Sequence, residues 1–77
     1  MSSNNSPDKL VYMANQIGKF FAHRKHDVAV AAITDHLEKF WDPRMRGTIL
    51  SQYDTVSDQL DPLVREAIAQ LRKAHMS

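Results

Sequence analysis

The chain reads as an all-α protein, a compact small bundle of about four helices with the third helix short. Three observations predict this. Apolar residues recur at intervals of three and four along most of its 77 residues, the period of a helix with one buried face. Each of the three prolines follows a capping residue, in Ser6-Pro7, Asp42-Pro43 and Asp61-Pro62. A Ser or Asp before a proline is a helix start: the side chain accepts from an unpaired first-turn amide, and proline has no N–H to leave unpaired. Finally, no segment alternates apolar and polar residues with the period of two that a half-buried strand requires.

Residues 1–6 are polar and are expected to form a flexible N-terminal leader, with residues 7–77 as a single helical domain. The first helix is expected from Pro7 to about Ala22, with a stripe of Leu10, Met13, Ile17 and Phe20/Phe21 and with Ala14 filling it. Gly18 inside it costs about 1 kcal/mol relative to Ala. It marks either a tolerated imperfection or a close crossing by another helix. His23-Arg24-Lys25-His26 is a polar, basic break whose cations suit the negative end of the preceding helix dipole. The spacing of His23 and His26 could hold a metal only with both on one helical face. No acidic partner completes a zinc pattern, so a solvated turn is the better reading.

Asp27 is expected to cap the second helix, Val28 to Trp41, with Val30, Ile33, Leu37 and Phe40/Trp41 as its stripe. Asp35 and Lys39 make a favourable i,i+4 pair on its surface, and His36 reads as solvated. The third helix starts at Asp42-Pro43 and turns Met45, Ile49 and Tyr53 inward, with Leu50 beside them. The polar run Ser51 to Gln59 reads as a loop. Asp61-Pro62 opens the last helix, whose stripe is Leu63, Val64, Ala67, Ile68 and Leu71. Arg72, Lys73 and His75 gather in its last turn, where the dipole favours cations.

Composition excludes several functions. The chain has no cysteine, so disulfides, thiolate zinc sites, iron–sulfur ligation and thiol nucleophiles are ruled out within it. Its net charge of +1 lacks the basic excess of a nucleic-acid binder. No apolar run approaches the length of a membrane span and no signal peptide is visible, so the expected location is cytoplasmic. There is no glycine-rich phosphate loop, and the histidines, serines and carboxylates assemble into no catalytic constellation. No catalytic, metal or cofactor-binding residue is assigned; a binding or structural role is the better expectation.

The most informative stretch is Phe40-Trp41-Asp42-Pro43-Arg44-Met45-Arg46. It closes one helix, opens the next and sets two aromatics beside two arginines. Trp41 either buries its ring in the core or serves as an interface anchor, since Trp and Arg are enriched at hot spots. Two arginines in a helix's first turn oppose the dipole. A partner carboxylate or phosphate would remove that penalty through guanidinium pairing. Arg46 could also fold back over the Trp41 ring.

Three blocks carry a family resemblance: Met13-Ala14-Asn15-Gln16-Ile17-Gly18-Lys19-Phe20-Phe21, Asp35-His36-Leu37-Glu38-Lys39-Phe40-Trp41-Asp42-Pro43-Arg44-Met45-Arg46, and Leu60-Asp61-Pro62-Leu63-Val64-Arg65-Glu66-Ala67. Together they resemble the delta subunit of cytoplasmic, NAD-dependent, molybdenum- or tungsten-containing formate dehydrogenase. The resemblance implies a non-catalytic accessory subunit with no redox centre of its own, in agreement with the missing cysteines. In such a complex the alpha subunit carries the molybdopterin cofactor and iron–sulfur centres, beta carries FMN and the NAD site, and gamma carries further iron–sulfur. The delta role it implies is assembly or stability of the complex, with insertion or retention of the molybdenum cofactor as an extension. Phe40 to Arg46 is then expected to form the docking face for the alpha subunit, with Trp41 as apolar anchor and Arg44 and Arg46 pairing with acidic groups. The alternative is a free-standing helical regulatory or adaptor domain, binding protein or nucleic acid. The near-zero net charge and the scattered basic residues oppose its nucleic-acid form.

Overall fold

Each Xaa-Pro start signal opens a helix. The computed structural model describes residues 6–76. Helix α1 spans Pro7–Phe21, capped by Ser6, whose Oγ accepts from the Lys9 amide at 3.4 Å. Residues 1–5 of the expected leader lie outside the described residues. Leu10, Val11, Ala14 and Gly18 are the buried positions of α1. Phe21 is half-buried against this core, whereas Phe20 departs from the expected stripe and stands 72% exposed. Consecutive residues on a helix point about 100° apart, so only one of the two rings can face inward.

Helix α2 spans His26–Phe40, two residues earlier at its start than expected. Lys25, not Asp27, occupies the cap position, and its carbonyl accepts from Ala29 N–H at 2.8 Å. Asp27 lies in the first turn, where its carboxylate faces the positive end of the dipole. Ala29, Val30, Ile33 and Leu37 are buried. Trp41 ends the helix in extended geometry (φ −87°, ψ 136°) and is only 5% exposed.

Helix α3 spans Pro43–Ser51 with Asp42 as its cap, Oδ1 accepting from Met45 N–H at 2.9 Å. The expected loop at 51–59 is instead a short helix α4, Tyr53–Val56, followed by a 3-10 turn at Ser57–Gln59. The Gln52 carbonyl accepts from the amides of Thr55 and Val56. The polar composition hid one apolar pair four residues apart, Val56 and Leu60, each 2% exposed. Helix α5 spans Pro62–Met76. The described chain is thus all-α with five helices rather than four.

The core explains why the middle segment must be ordered. His26 Nε2 meets Glu66 Oε1 at 2.8 Å near the starts of α2 and α5, and Glu38 approaches His75 at 3.9 Å near their ends. The two helices therefore run in the same direction, and theirs is the most extensive packing in the molecule. Parallel neighbours need a connection that carries the chain back along their length. Residues 41–61 supply it as α3, α4 and the 3-10 turn, with Ile49, Val56 and Leu60 closing over the core. Helix α1 packs against α2, α3 and α5. Every fully buried residue described is apolar or glycine, and no buried side-chain N or O lacks a hydrogen-bond partner.

Two devices fix α1 against the rest. The Asn15 amide donates to the Gln59 carbonyl at 3.0 Å and accepts from Asp61 N–H at 2.9 Å, clamping the entry to α5. At Gly18 the alternative left open above is decided: a Cβ there would overlap Val64 Cγ2 on α5. Gly18 is a close-crossing site, where the absence of a side chain lets two helices approach.

Candidate partner-binding surface

The corner between α2 and α3 holds the stretch that stands out in the sequence. The last carbonyls of a helix have no intrahelical donor. At the end of α2 they are met by Arg46, whose Nη1 donates toward the carbonyls of Leu37 at 3.3 Å and Glu38 at 3.1 Å, and toward that of Trp41. Arg46 thus caps α2 from the first turn of α3 and sets the angle of the corner. This internal gain offsets a cation at a helix N-terminus, where the sequence points to a partner's anion to remove that penalty. The guanidinium is spent on backbone carbonyls rather than placed over the Trp41 ring.

Trp41 belongs to the hydrophobic core, so the exposed apolar group of this stretch is Phe40, at 72% exposure. Asp42 is exposed but engaged as the α3 cap. Met45 and Arg46 are half-buried. Pro43 and Arg44 are exposed and line a shallow notch with Asp42. Arg44 forms no salt bridge with a described residue, in contrast to Arg72, which pairs with Asp54 at 3.1 Å and lies over the Tyr53 ring. Arg65 is likewise occupied: its Nε donates to the Ser57 carbonyl at 2.8 Å and its Nη2 to that of Leu60 at 3.1 Å. Of the seven residues expected to dock, Phe40, Pro43 and Arg44 face outward, while Trp41, Asp42, Met45 and Arg46 build the corner that presents them.

The sequence did not reveal what lies beside Phe40. Its ring stacks against His36, with centroids 4.7 Å apart, and His36 meets Phe21 edge-on at 6.4 Å. Phe21 in turn meets Phe20 at 5.1 Å. His36, expected to be solvated, is half-buried between two phenyl rings. The available signal was the doublet Phe20-Phe21, which cannot turn both rings inward. Among the described residues no three His, Cys, Asp or Glu side chains gather as a metal site would require, and no helix is long and apolar enough to cross a membrane.

Comparison with known families decides the identity. Residues 9–68 match the family described as NADH-dependent formate dehydrogenase delta subunit, FdsD. The chain belongs to this family. The match spans all three resembling blocks up to Ile68, and takes in the Asn15 clamp, the Gly18 crossing and the Arg46 corner. No curated protein and no solved structure matches the chain. The family is named for one subunit of a dehydrogenase, so the exposed groups around Phe40 are read below against the needs of a subunit.

Proposed function

We propose that this delta-family chain is a non-catalytic accessory subunit that docks on the catalytic subunit of a formate dehydrogenase and supports the assembly and stability of that complex in the cytoplasm. The observation that carries the docking reading is the α2–α3 corner. It is held from inside by Trp41 and Arg46, yet presents to solvent an exposed phenylalanine and an arginine that no described residue pairs. A corner of this kind spares the backbone-ordering cost of presenting an aromatic and a guanidinium to a partner, and such side chains dominate interface energies. Phe40 fills an apolar depression on the partner, Arg44 pairs with a carboxylate, and Pro43 packs between them.

The supporting fact for a non-catalytic role is that the polar side chains that meet in this fold serve structure. Asn15 clamps, Arg46 and Arg65 cap, and His26–Glu66 joins two helices. Insertion or retention of the molybdenum cofactor is the finer form of the proposal: the docked subunit holds the catalytic subunit in a state that accepts or keeps it.

The test is Phe40→Ala with Arg44→Ala, two exposed residues outside the core. Co-purification with the catalytic subunit should fall by about tenfold or more, the effect of losing hot-spot contacts, while the free chain melts as the wild type does. Undiminished co-purification and formate oxidation in this variant would sink the docking proposal. Molybdenum content of the catalytic subunit, measured with and without this chain, separates a stabiliser from a cofactor-loading role.

A further inference from the structure

The corner does not stand alone. Phe20, Phe21, His36 and Phe40 form one strip of rings, linked by centroid distances of 5.1, 6.4 and 4.7 Å, across the end of α1 and the second half of α2. Both terminal rings are 72% exposed. A run of edge-on and tilted rings ending in two exposed phenylalanines is a feature that folding alone gives no reason to keep, because burying those end rings would favour the folded state.

Cations stand at both ends of the strip. Lys19, Arg24 and Lys25 stand at the Phe20 end and Arg44 follows the Phe40 end, none of them in a salt bridge with a described residue. Arg24 lies over the Phe21 ring at 5.8 Å, so its cation borders the strip itself. Of the acids nearby, Asp35 pairs with Lys39 at 3.2 Å, Glu38 approaches His75 at 3.9 Å and Asp42 accepts from an α3 amide, while Asp27 is exposed at the start of α2, so the cationic excess lies with Lys19, Arg24 and Lys25 at the Phe20 end. A second copy of the chain would set cations against cations. An anionic membrane would satisfy the cations but would carry the half-buried His36 into the acyl boundary. The rings extend over no more than about three turns of a helix, the reach of i, i+4 and i+7 anchors on one face.

We infer that the strip receives an acidic amphipathic helix of about three turns from a partner protein, its apolar anchors on Phe20, Phe21 and Phe40 and its carboxylates meeting cations at both ends. This rests on the proposal that the chain docks in a dehydrogenase complex, and extends the contact to the end of α1.

The experiment uses the complex purified without this chain, to which the full chain is added back. Phe20→Ala with Arg24→Glu should weaken binding about thirtyfold, as loss of a hot-spot pair does, and flatten its salt dependence. A photo-crosslinking phenylalanine analogue at position 20 should label an acidic helical segment of the partner, and the same analogue at Gln70 should not. Full affinity in the Phe20/Arg24 variant, with loss in the Phe40/Arg44 variant, overturns the strip and leaves the corner standing. Full affinity in both overturns the docking reading as well. Labelling from position 20 on a neutral or basic segment overturns the stated chemistry. Sedimentation of the wild type with phosphatidylserine vesicles, lost in the Phe20/Arg24 variant while complex affinity is unchanged, assigns the strip to lipid and overturns the proposal.

Discussion

Arg44 and Arg46 are two residues apart and do different work. Arg46 reaches back to carbonyls at the end of α2, where a charged donor meets those of Glu38 and Trp41 and adds to the Trp41 N–H bond already made to that of Leu37. Arg46→Ala should therefore lower unfolding free energy by about 1–2 kcal/mol. Arg44→Ala should leave it unchanged or raise it by a few tenths, since a cation leaves a helix N-terminus. Urea denaturation of the two variants makes the comparison, and equal effects would refute the capping role. Asn15 follows the same logic. Its amide both donates and accepts, so Asn15→Asp keeps the acceptor for the Asp61 amide but loses the donor to the Gln59 carbonyl. A loss of about 1–2 kcal/mol is expected, and hydrogen exchange at the Asp61 amide should show whether the remaining bond survives.

At the scale of elements, the two glycines sit in helices and have opposite meanings. Gly18 faces Val64 where α1 crosses α5, and a methyl group added there has no room. Gly18→Ala should destabilise the fold by about 1–3 kcal/mol despite its better helix propensity, because the two helices must separate. Gly47 is exposed on α3 with nothing within 4 Å of where a Cβ would stand. Gly47→Ala should stabilise by about 0.5–1 kcal/mol through backbone entropy alone. Thermal melts that shift in the same direction for both variants would show that one of these environments has been misread. The sequence carried each glycine's helix-propensity cost but not the sign of its substitution, which depends on a residue 46 positions away in one case and on empty solvent in the other.

For the whole molecule, the margin is small. A chain of this length has a total stability of roughly 4–12 kcal/mol, and truncating a buried Trp costs about 3–5. Trp41→Ala should abolish the cooperative melt seen by circular dichroism, or bring its midpoint close to ambient temperature. Trp41→Phe should keep a cooperative fold. A wild-type melt in Trp41→Ala would place the ring outside the core. Such a margin suits a domain that gains stability by binding, and saturating amounts of its partner should raise the melting temperature of Arg46→Ala toward that of the wild type.

Four of the five helices and most of their faces were legible because they rest on local rules, whereas α4 lay hidden in a polar run. A cap before a proline and a 3.6-residue apolar period act over a few residues; the side-chain caps held at Ser6 and Asp42, the helix start held at Pro62, and the period held along α5. The family resemblance was also legible, since it lies in the order of residues. The roles of Phe20, Trp41, Arg44 and Arg46 were not. Which ring turns inward, which arginine finds a carbonyl and where a glycine meets another helix depend on how α2 and α5 lie parallel and on how residues 41–61 return between them. Those contacts join residues far apart along the chain. Local periodicity says which face of a helix is apolar, but only the packed arrangement determines which part of that face is covered and which is left exposed.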